Sequence, residues 1–247
     1  MNARQPTRGF TLVELMVVIA IIGLLMTLIV PAVTKATQML LTARTEQMLH
    51  DIGMGLDAFY ADFKCYPPSD PNQMEYKNDG ITSGAANLAL CLRGPVGRGW
   101  GTTGGGLMPF GGRALRAYGP YYSTEESLIA YGTDDKTLAG FLDPLEPSGL
   151  NADGKIVGRI LYFRASADGT VAWTDNQDPA ETDSTKKAFM GYVSETQAAL
   201  PGAKRYLLVS PGFDRRYGWV YKDADGVKPD ITGTAEGATY DDIRYAH

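Results

Sequence analysis

The first strong pattern in the chain is an uninterrupted apolar segment near its N-terminus. Residues 15–34, LMVVIAIIGLLMTLIVPAVT, contain no charged side chain. A helix of this length, at about 1.5 Å per residue, is about as long as the hydrocarbon core of a bilayer is thick. Because the segment is apolar on every face, it predicts a membrane-spanning helix, with a buried core helix as the less favoured alternative.

A second helical pattern follows the apolar segment without a break. Apolar side chains recur every three or four residues, at Met48, Ile52, Leu56, Phe59 and Phe63. This period is typical of a helix with one buried face. The sequence Tyr66-Pro67-Pro68 cannot continue a helix. We therefore expect one long helix with an apolar half, residues 10–33, and an amphipathic half, residues 34–64.

Later in the chain the apolar pattern becomes that of short strands. The runs at 155–165 and 170–173 flank an Asp168-Gly169 turn signal and predict a hairpin. The runs KRYLLVS and YGWVYK, residues 204–210 and 217–222, predict two further strands. A long helix lying against a small antiparallel sheet predicts the α+β class.

The region between the helix and these strands is rich in glycine. Residues 79–119 include GRGWGTTGGGLMPFGG and show neither helical nor strand periodicity, so they predict a long, exposed loop or insertion. Its Gly-x-Gly-x-Gly run does not predict a dinucleotide site, since no strand precedes it. Downstream, YSTEESLIAYG favours a short helix capped at Ser123 or Thr124.

Composition narrows the possible functions. The chain has 23 Lys and Arg against 28 Asp and Glu, a net charge of −5, so nucleic acid is not expected as a main ligand. Its two histidines, His50 and His247, and two cysteines do not suggest a four-cysteine zinc site or His-based catalysis. We therefore do not expect an enzyme.

Charges around the apolar segment indicate its orientation and a functional residue. Arg4 and Arg8 precede it, with no acidic residue before Glu14, so the positive-inside rule predicts a cytoplasmic N-terminus and an exported remainder. Glu14 stands at the segment's edge, where a carboxylate is costly in lipid unless it is paired. It is therefore either functional or located in interfacial water.

The sequence RGFTLVELMVVIAIIGLLMTLIVPA, residues 8–32, closely resembles the class III leader of type IV pilins and type II secretion pseudopilins. The resemblance implies that a prepilin peptidase removes residues 1–9 by cleaving between Gly9 and Phe10, and then N-methylates Phe10. It also implies that the new amine of one subunit meets Glu14 of a neighbour. In this family the helix commonly melts between the positions matched by Gly23 and Pro31 when a filament forms.

Two C-terminal segments resemble the major pseudopilin. YLLVSPGFDRRYG, residues 206–218, and YDDIRYAH, residues 240–247, match the part of that family that encloses calcium. The implied oxygen ligands are Ser210, Asp214, Asp241 and Asp242. Arg215 or Arg216 could instead pair directly with an aspartate. A partial third match, LDPLEPSG from Leu142, resembles the start of a family strand.

The two cysteines leave two alternatives open. Cys65 and Cys91 lie in residues 65–247, the part expected to form a globular periplasmic head. A disulfide is permitted in that compartment. Two free buried thiols are almost equally compatible with the sequence, since spacing does not show proximity.

Taken together, the residues and the resemblance predict a pilin-like structural protein, namely a subunit of a type II secretion pseudopilus. It would sit in the bacterial inner membrane by one helix and enter a filament after processing. The implied partners are other copies of itself, minor pseudopilins, the prepilin peptidase, and an assembly platform with its ATPase. The alternative is a type IV pilin or minor pilin-like surface protein for adhesion, motility or DNA uptake.

Overall fold

The computed structural model divides the chain into two compact units, residues 1–41 and 42–247. The residues that the structure describes are 11–70, 73–74, 83–95, 97–101, 108–112, 116–131, 138–145, 158–165, 176, 205–212, 219–223, 226–230 and 243–246.

One helix, α1, runs over Leu12–Phe63 and takes part in both units. Its buried face in the second unit begins at Thr45 and includes Met48, Ile52, Leu56 and Phe59. These four apolar residues belong to the stripe that the sequence predicts for one face of the helix. The helix ends where Lys64 adopts a left-handed conformation, with a φ of 59°, ahead of the predicted Tyr-Pro-Pro stop.

The first part of α1 is different in character. Every residue from 12 to 40 is exposed, although most are large and apolar. By length and composition, α1 qualifies as a membrane-crossing helix. This exposed apolar surface agrees with the prediction from residues 15–34.

A second helix, α2, spans Gly84–Arg93 and corrects the prediction that 79–119 is an exposed loop throughout. The Ser83 hydroxyl oxygen caps its start by accepting the Ala86 N–H. Its end is set by Gly94, whose φ of 78° favours glycine and where a Cβ would collide with the Gly99 backbone. The helical segment GAANLALCLR is itself poor in glycine, but the glycine-rich sequence that follows it led to the prediction of a loop.

The part of the glycine-rich stretch around Trp100 is also packed, against expectation. Trp100 is fully buried, and its indole N–H donates to the Cys91 carbonyl at 2.9 Å. Its backbone exchanges two hydrogen bonds with Tyr118, at 2.7 and 2.9 Å. These described residues belong to the core of the second unit.

Two short strands follow. β1 covers Ile129–Tyr131 and pairs antiparallel with β2, Leu138–Phe141. The predicted helix before β1 was wrong in extent, since only a 3₁₀ turn forms at Glu126–Leu128. Glu125 precedes that turn without a side-chain cap, so Ser123 and Thr124 do not cap it.

The main sheet has the order β3-β4-β7. β3 is Leu161–Arg164, β4 is Tyr206–Ser210 and β7 is Ile243–Ala246, and all neighbours are antiparallel. β5, Trp219–Asp223, and β6, Gly226–Asp230, form a separate two-stranded sheet. The predicted α+β class is confirmed.

The predicted strand positions are confirmed at β3, β4 and β5. β3 pairs with β4, from Leu161 opposite Val209 to Arg164 opposite Tyr206. The hairpin partner expected at 170–173 lies outside the described residues. Among the described residues, the core joins α1, α2, β2, β3 and β4. Its largest fully buried side chains are Trp100, Tyr162, Tyr206, Phe59, Phe141 and Phe163.

Candidate functional site

The start of α1 is a capping box formed by Thr11 and Glu14. The Thr11 backbone N–H and its hydroxyl both donate to Glu14 Oε2 at 2.8 Å. The Glu14 N–H donates in return to Thr11 Oγ1 at 3.2 Å. This reciprocal pattern satisfies donors that a helix start otherwise leaves without partners. Thr11 was missed by the sequence reasoning, although Thr-x-x-Glu at 11–14 is the signal for it.

Glu14 is thus held by its own helix but stays accessible. Both Thr11 and Glu14 are exposed. A carboxylate can accept about four hydrogen bonds, and the described contacts use one of its two oxygens. The geometry therefore presents a fixed anion at the helix start that can still accept a cationic partner.

The threonines of the exposed apolar segment carry their own hydrogen-bond partners. The Thr27 hydroxyl donates to the Leu24 carbonyl at 2.7 Å, and the Thr34 hydroxyl donates to the Val30 carbonyl at 3.0 Å. Such back-bonding leaves no hydroxyl proton in need of water. These two hydroxyls are therefore compatible with lipid or with a neighbouring helix.

Gly23 and Pro31 both lie inside α1, which is helical across them. A Cβ added at Gly23 would meet nothing within 4 Å. Proline removes one backbone donor from the ladder and glycine weakens it, so the stretch between them is intrinsically the softer part of the helix. Melting there stays a prediction.

The second unit contains a buried carboxylate, Asp143, between three elements. Thr45 of α1 donates its hydroxyl proton to Asp143 Oδ1 at 2.5 Å, and the Ser210 hydroxyl at the end of β4 donates to Oδ2. The Leu145 N–H donates to Oδ1 at 2.9 Å. Asp143, Thr45 and Ser210 are all fully buried. We call these three residues the Asp143 node.

This node bears on the predicted calcium ligands. Ser210, the one member of that set among the described residues, gives its hydroxyl proton to Asp143 and accepts the Gly212 N–H at 3.2 Å. Asp214, Asp241 and Asp242 lie outside the described residues. Within the described ranges no group of three or more His, Cys, Asp or Glu side chains could hold a metal ion.

Replacing Asp143 by alanine is expected to lower the free energy of unfolding by about 3 kcal/mol, because two buried hydroxyls and one N–H lose their acceptor. Ser210→Ala should cost less, about 1 kcal/mol, since Thr45 and Leu145 still reach the carboxylate. Urea unfolding of the full chain in detergent measures both. Ser127→Ala, at an exposed hydroxyl, is the control; equal effects in all three variants would contradict the buried node.

The two cysteines are thiols in the structure, Cys65 half-buried and Cys91 fully buried in α2. The Cys91 thiol lies 3.7 Å from the Met74 sulfur. Burial, and then the charge of a Cys65 thiolate, raise the pKa of Cys91 well above its ordinary value. At neutral pH Cys91 is therefore a protonated, weakly reactive thiol in this state.

Comparison with known families finds a match in the N-terminal part of the chain. A family described as the prokaryotic N-terminal methylation motif matches residues 4–30. No curated protein and no solved structure gave a significant match. The match covers the predicted processing residues Gly9 and Phe10, together with Glu14 and Gly23. The match supports the resemblance of residues 8–32 to the leader that prepilin peptidase processes in type IV pilin-like proteins, and the exposed apolar helix that follows is consistent with a membrane anchor.

Proposed function

We propose that this chain is a structural subunit of a type II secretion pseudopilus, and that its N-terminal helix builds the filament and helps to drive protein export. The observation that carries the proposal is the leader motif followed by a helix whose residues 12–40, most of them large and apolar, are all exposed. Such a surface requires either lipid or other apolar helices.

Glu14 sets the register in which the helices of two neighbouring subunits pack. Cleavage before Phe10 would create an α-amino group, which is largely cationic at neutral pH and stays basic after methylation. In a lipid environment that amine needs an anion, and Glu14 is the acidic residue in the first turn of α1. A neighbouring subunit is accepted when its amine meets Glu14, because two charges away from water are tolerable only as a pair.

The secretion assignment rests on the resemblance of residues 206–218 and 240–247 to the major pseudopilin. The same resemblance supports calcium as a ligand of the head. It also suggests minor pseudopilins, an inner-membrane platform and its ATPase as partners, with the head in the periplasm. The leader serves surface pilins equally well, so a type IV pilin or minor pilin-like surface protein is the second candidate.

Glu14→Ala should reduce incorporation into filaments roughly tenfold or more, because a neighbour's amine would lose its counter-charge. The second unit should keep its stability, since Glu14 lies outside it. Shearing or cross-linking followed by immunoblotting measures incorporation. Glu46→Ala, an equal charge change at an exposed position on the same helix, is the control. Normal filaments from the Glu14 variant would contradict the docking role.

Isolation of cross-linked native complexes distinguishes the two candidate functions. The secretion proposal expects an outer-membrane secretin and an assembly platform attached to the processed chain. Recovery of the chain in extracellular fibres, without secretion components, would favour the surface-pilin alternative. Recovery only as single copies in the membrane would contradict both.

A further inference from the structure

The segment that follows α1 runs antiparallel along α2. Ser69 lies against the first residue of α2, since a Cβ on Gly84 would come within 3.1 Å of the Ser69 Cβ. One helical turn later, the Asn87 side chain donates to the Pro68 carbonyl at 3.0 Å. Earlier residues of the segment therefore lie next to later residues of α2.

This antiparallel arrangement places Cys65 and Cys91 at about the same height along the axis of α2. From Asn87 to Cys91 is one further helical turn, about 6 Å along the axis and on the same face. From Pro68 back to Cys65 is three residues, at most about 10 Å of extended chain. Cys65 is thus placed beside the end of α2 that carries Cys91.

Two other contacts agree with this placement. Tyr66, next to Cys65, belongs to the same buried cluster as Cys91 and Met74. Tyr162 donates its hydroxyl to the Pro67 carbonyl at 2.8 Å, which holds the segment in place. The upward effect of a Cys65 thiolate on the pKa of Cys91, second to that of burial, agrees with this placement.

We propose that Cys65 and Cys91 form an intramolecular disulfide by exchange with an oxidant that itself carries a disulfide. The Cys65 thiolate attacks the oxidant's disulfide, forming a mixed disulfide and releasing one oxidant thiolate. Cys91, as thiolate, then attacks the Cys65 sulfur, and the second oxidant thiolate leaves. The two cysteine protons pass to the oxidant, whose disulfide is reduced by two electrons to two thiols.

The different burial of the two sulfurs sets the order of events. Cys65 is half-buried and can meet an oxidant, whereas Cys91 is fully buried. The second step therefore takes place while α2 is still loosely packed, during folding of the head or its local opening. Once closed, the bond would tie the end of α1 to α2. The pairing follows from the head alone and holds whatever filament the chain builds.

The test oxidises the purified, reduced full chain in detergent with oxidised glutathione. After denaturation, alkylation and trypsin digestion, mass spectrometry should find peptide 65–77 linked to peptide 78–93, since cleavage after Lys77 separates the two cysteines. The oxidised chain should melt roughly 10 °C above its reduced form. Two alkylated cysteines, or glutathione on Cys65 with Cys91 alkylated, would overturn the pairing.

Cys65→Ser is the matched control, because it removes the half-buried partner and leaves the core thiol in place. This variant should yield no linked peptides, and its melting temperature should not respond to oxidised glutathione. A response equal to that of the parent chain would contradict the pairing. A separate experiment tests the location of the head: cells are treated with an alkylating agent before lysis, so that free thiols are blocked. Linked peptides from the purified, oxidised chain together with free thiols in the chain from cells would count against export of the head.

Discussion

Replacing Gly9 by valine or a larger residue is expected to leave the chain as an unprocessed precursor that forms no filament. The family resemblance places the cut directly after Gly9, where a residue without a Cβ lets the backbone approach the peptidase closely. Without the cut there is no new amine at Phe10 and hence no partner for Glu14. Intact-mass measurement of membrane-extracted chain should show that residues 1–9 are retained in nearly all molecules.

Gly23→Ala is the matched control for that experiment. It is also a glycine replacement in the matched leader region, but nothing lies within 4 Å of the added Cβ. This variant should be processed like the parent chain. A Gly9 variant that still loses residues 1–9 and assembles would refute the assignment of the leader.

Phe59→Ala is expected to destabilise the head by about 3–5 kcal/mol, the usual cost of truncating a buried aromatic residue. Phe59 is fully buried on α1, and its ring centroid lies 4.4 Å from that of Phe63 and 5.4 Å from that of Tyr121. The truncation removes the centre of this aromatic group and leaves a cavity. The midpoint of urea unfolding, followed by tyrosine and tryptophan fluorescence, measures the loss.

Met54→Ala provides the comparison on the same helix. Met54 is 54% exposed, so its truncation should change stability by no more than about 0.5 kcal/mol. Similar losses for Phe59→Ala and Met54→Ala would mean that α1 does not bury the face that the structure shows.

The sequence predicted those parts of the fold that depend on local periodicity. The apolar stripe through Met48, Ile52 and Leu56 defined the buried face of α1, because a helix repeats its surface every 3.6 residues. The Tyr-Pro-Pro sequence at 66–68 located the helix end to within a few residues. The alternating and β-branched runs located β3, β4 and β5 for the same reason.

Helix α2 shows why local reading failed elsewhere. Ser83 and Gly94 are good start and stop residues, but the helix has only ten residues between them. Its residues are buried on nearly every side of the helix, so no polar face reveals the helical repeat of apolar positions in the sequence. The surrounding glycines therefore favoured the prediction of a loop. The helix forms nevertheless because tertiary packing, rather than local propensity, stabilises it.

The buried Asp143 node lay beyond sequence reasoning for a different reason. Thr45 and Asp143 are 98 residues apart in the chain, and Ser210 is 67 residues beyond Asp143. Nothing local joins them, so Ser210 was interpreted only through a family resemblance. Thr11 differs, since its partner Glu14 is three residues away and the capping box was readable from the sequence.

The position of Thr45 has a mechanical consequence. It is the first residue of α1, counted from the N-terminus, that is buried in the second unit. A pulling force applied to the N-terminal end of the helix would reach the head at Thr45 before it reaches Phe59. The hydrogen bond to Asp143 would carry part of that load, and because Asp143 also holds Ser210, tension would pass into strand β4.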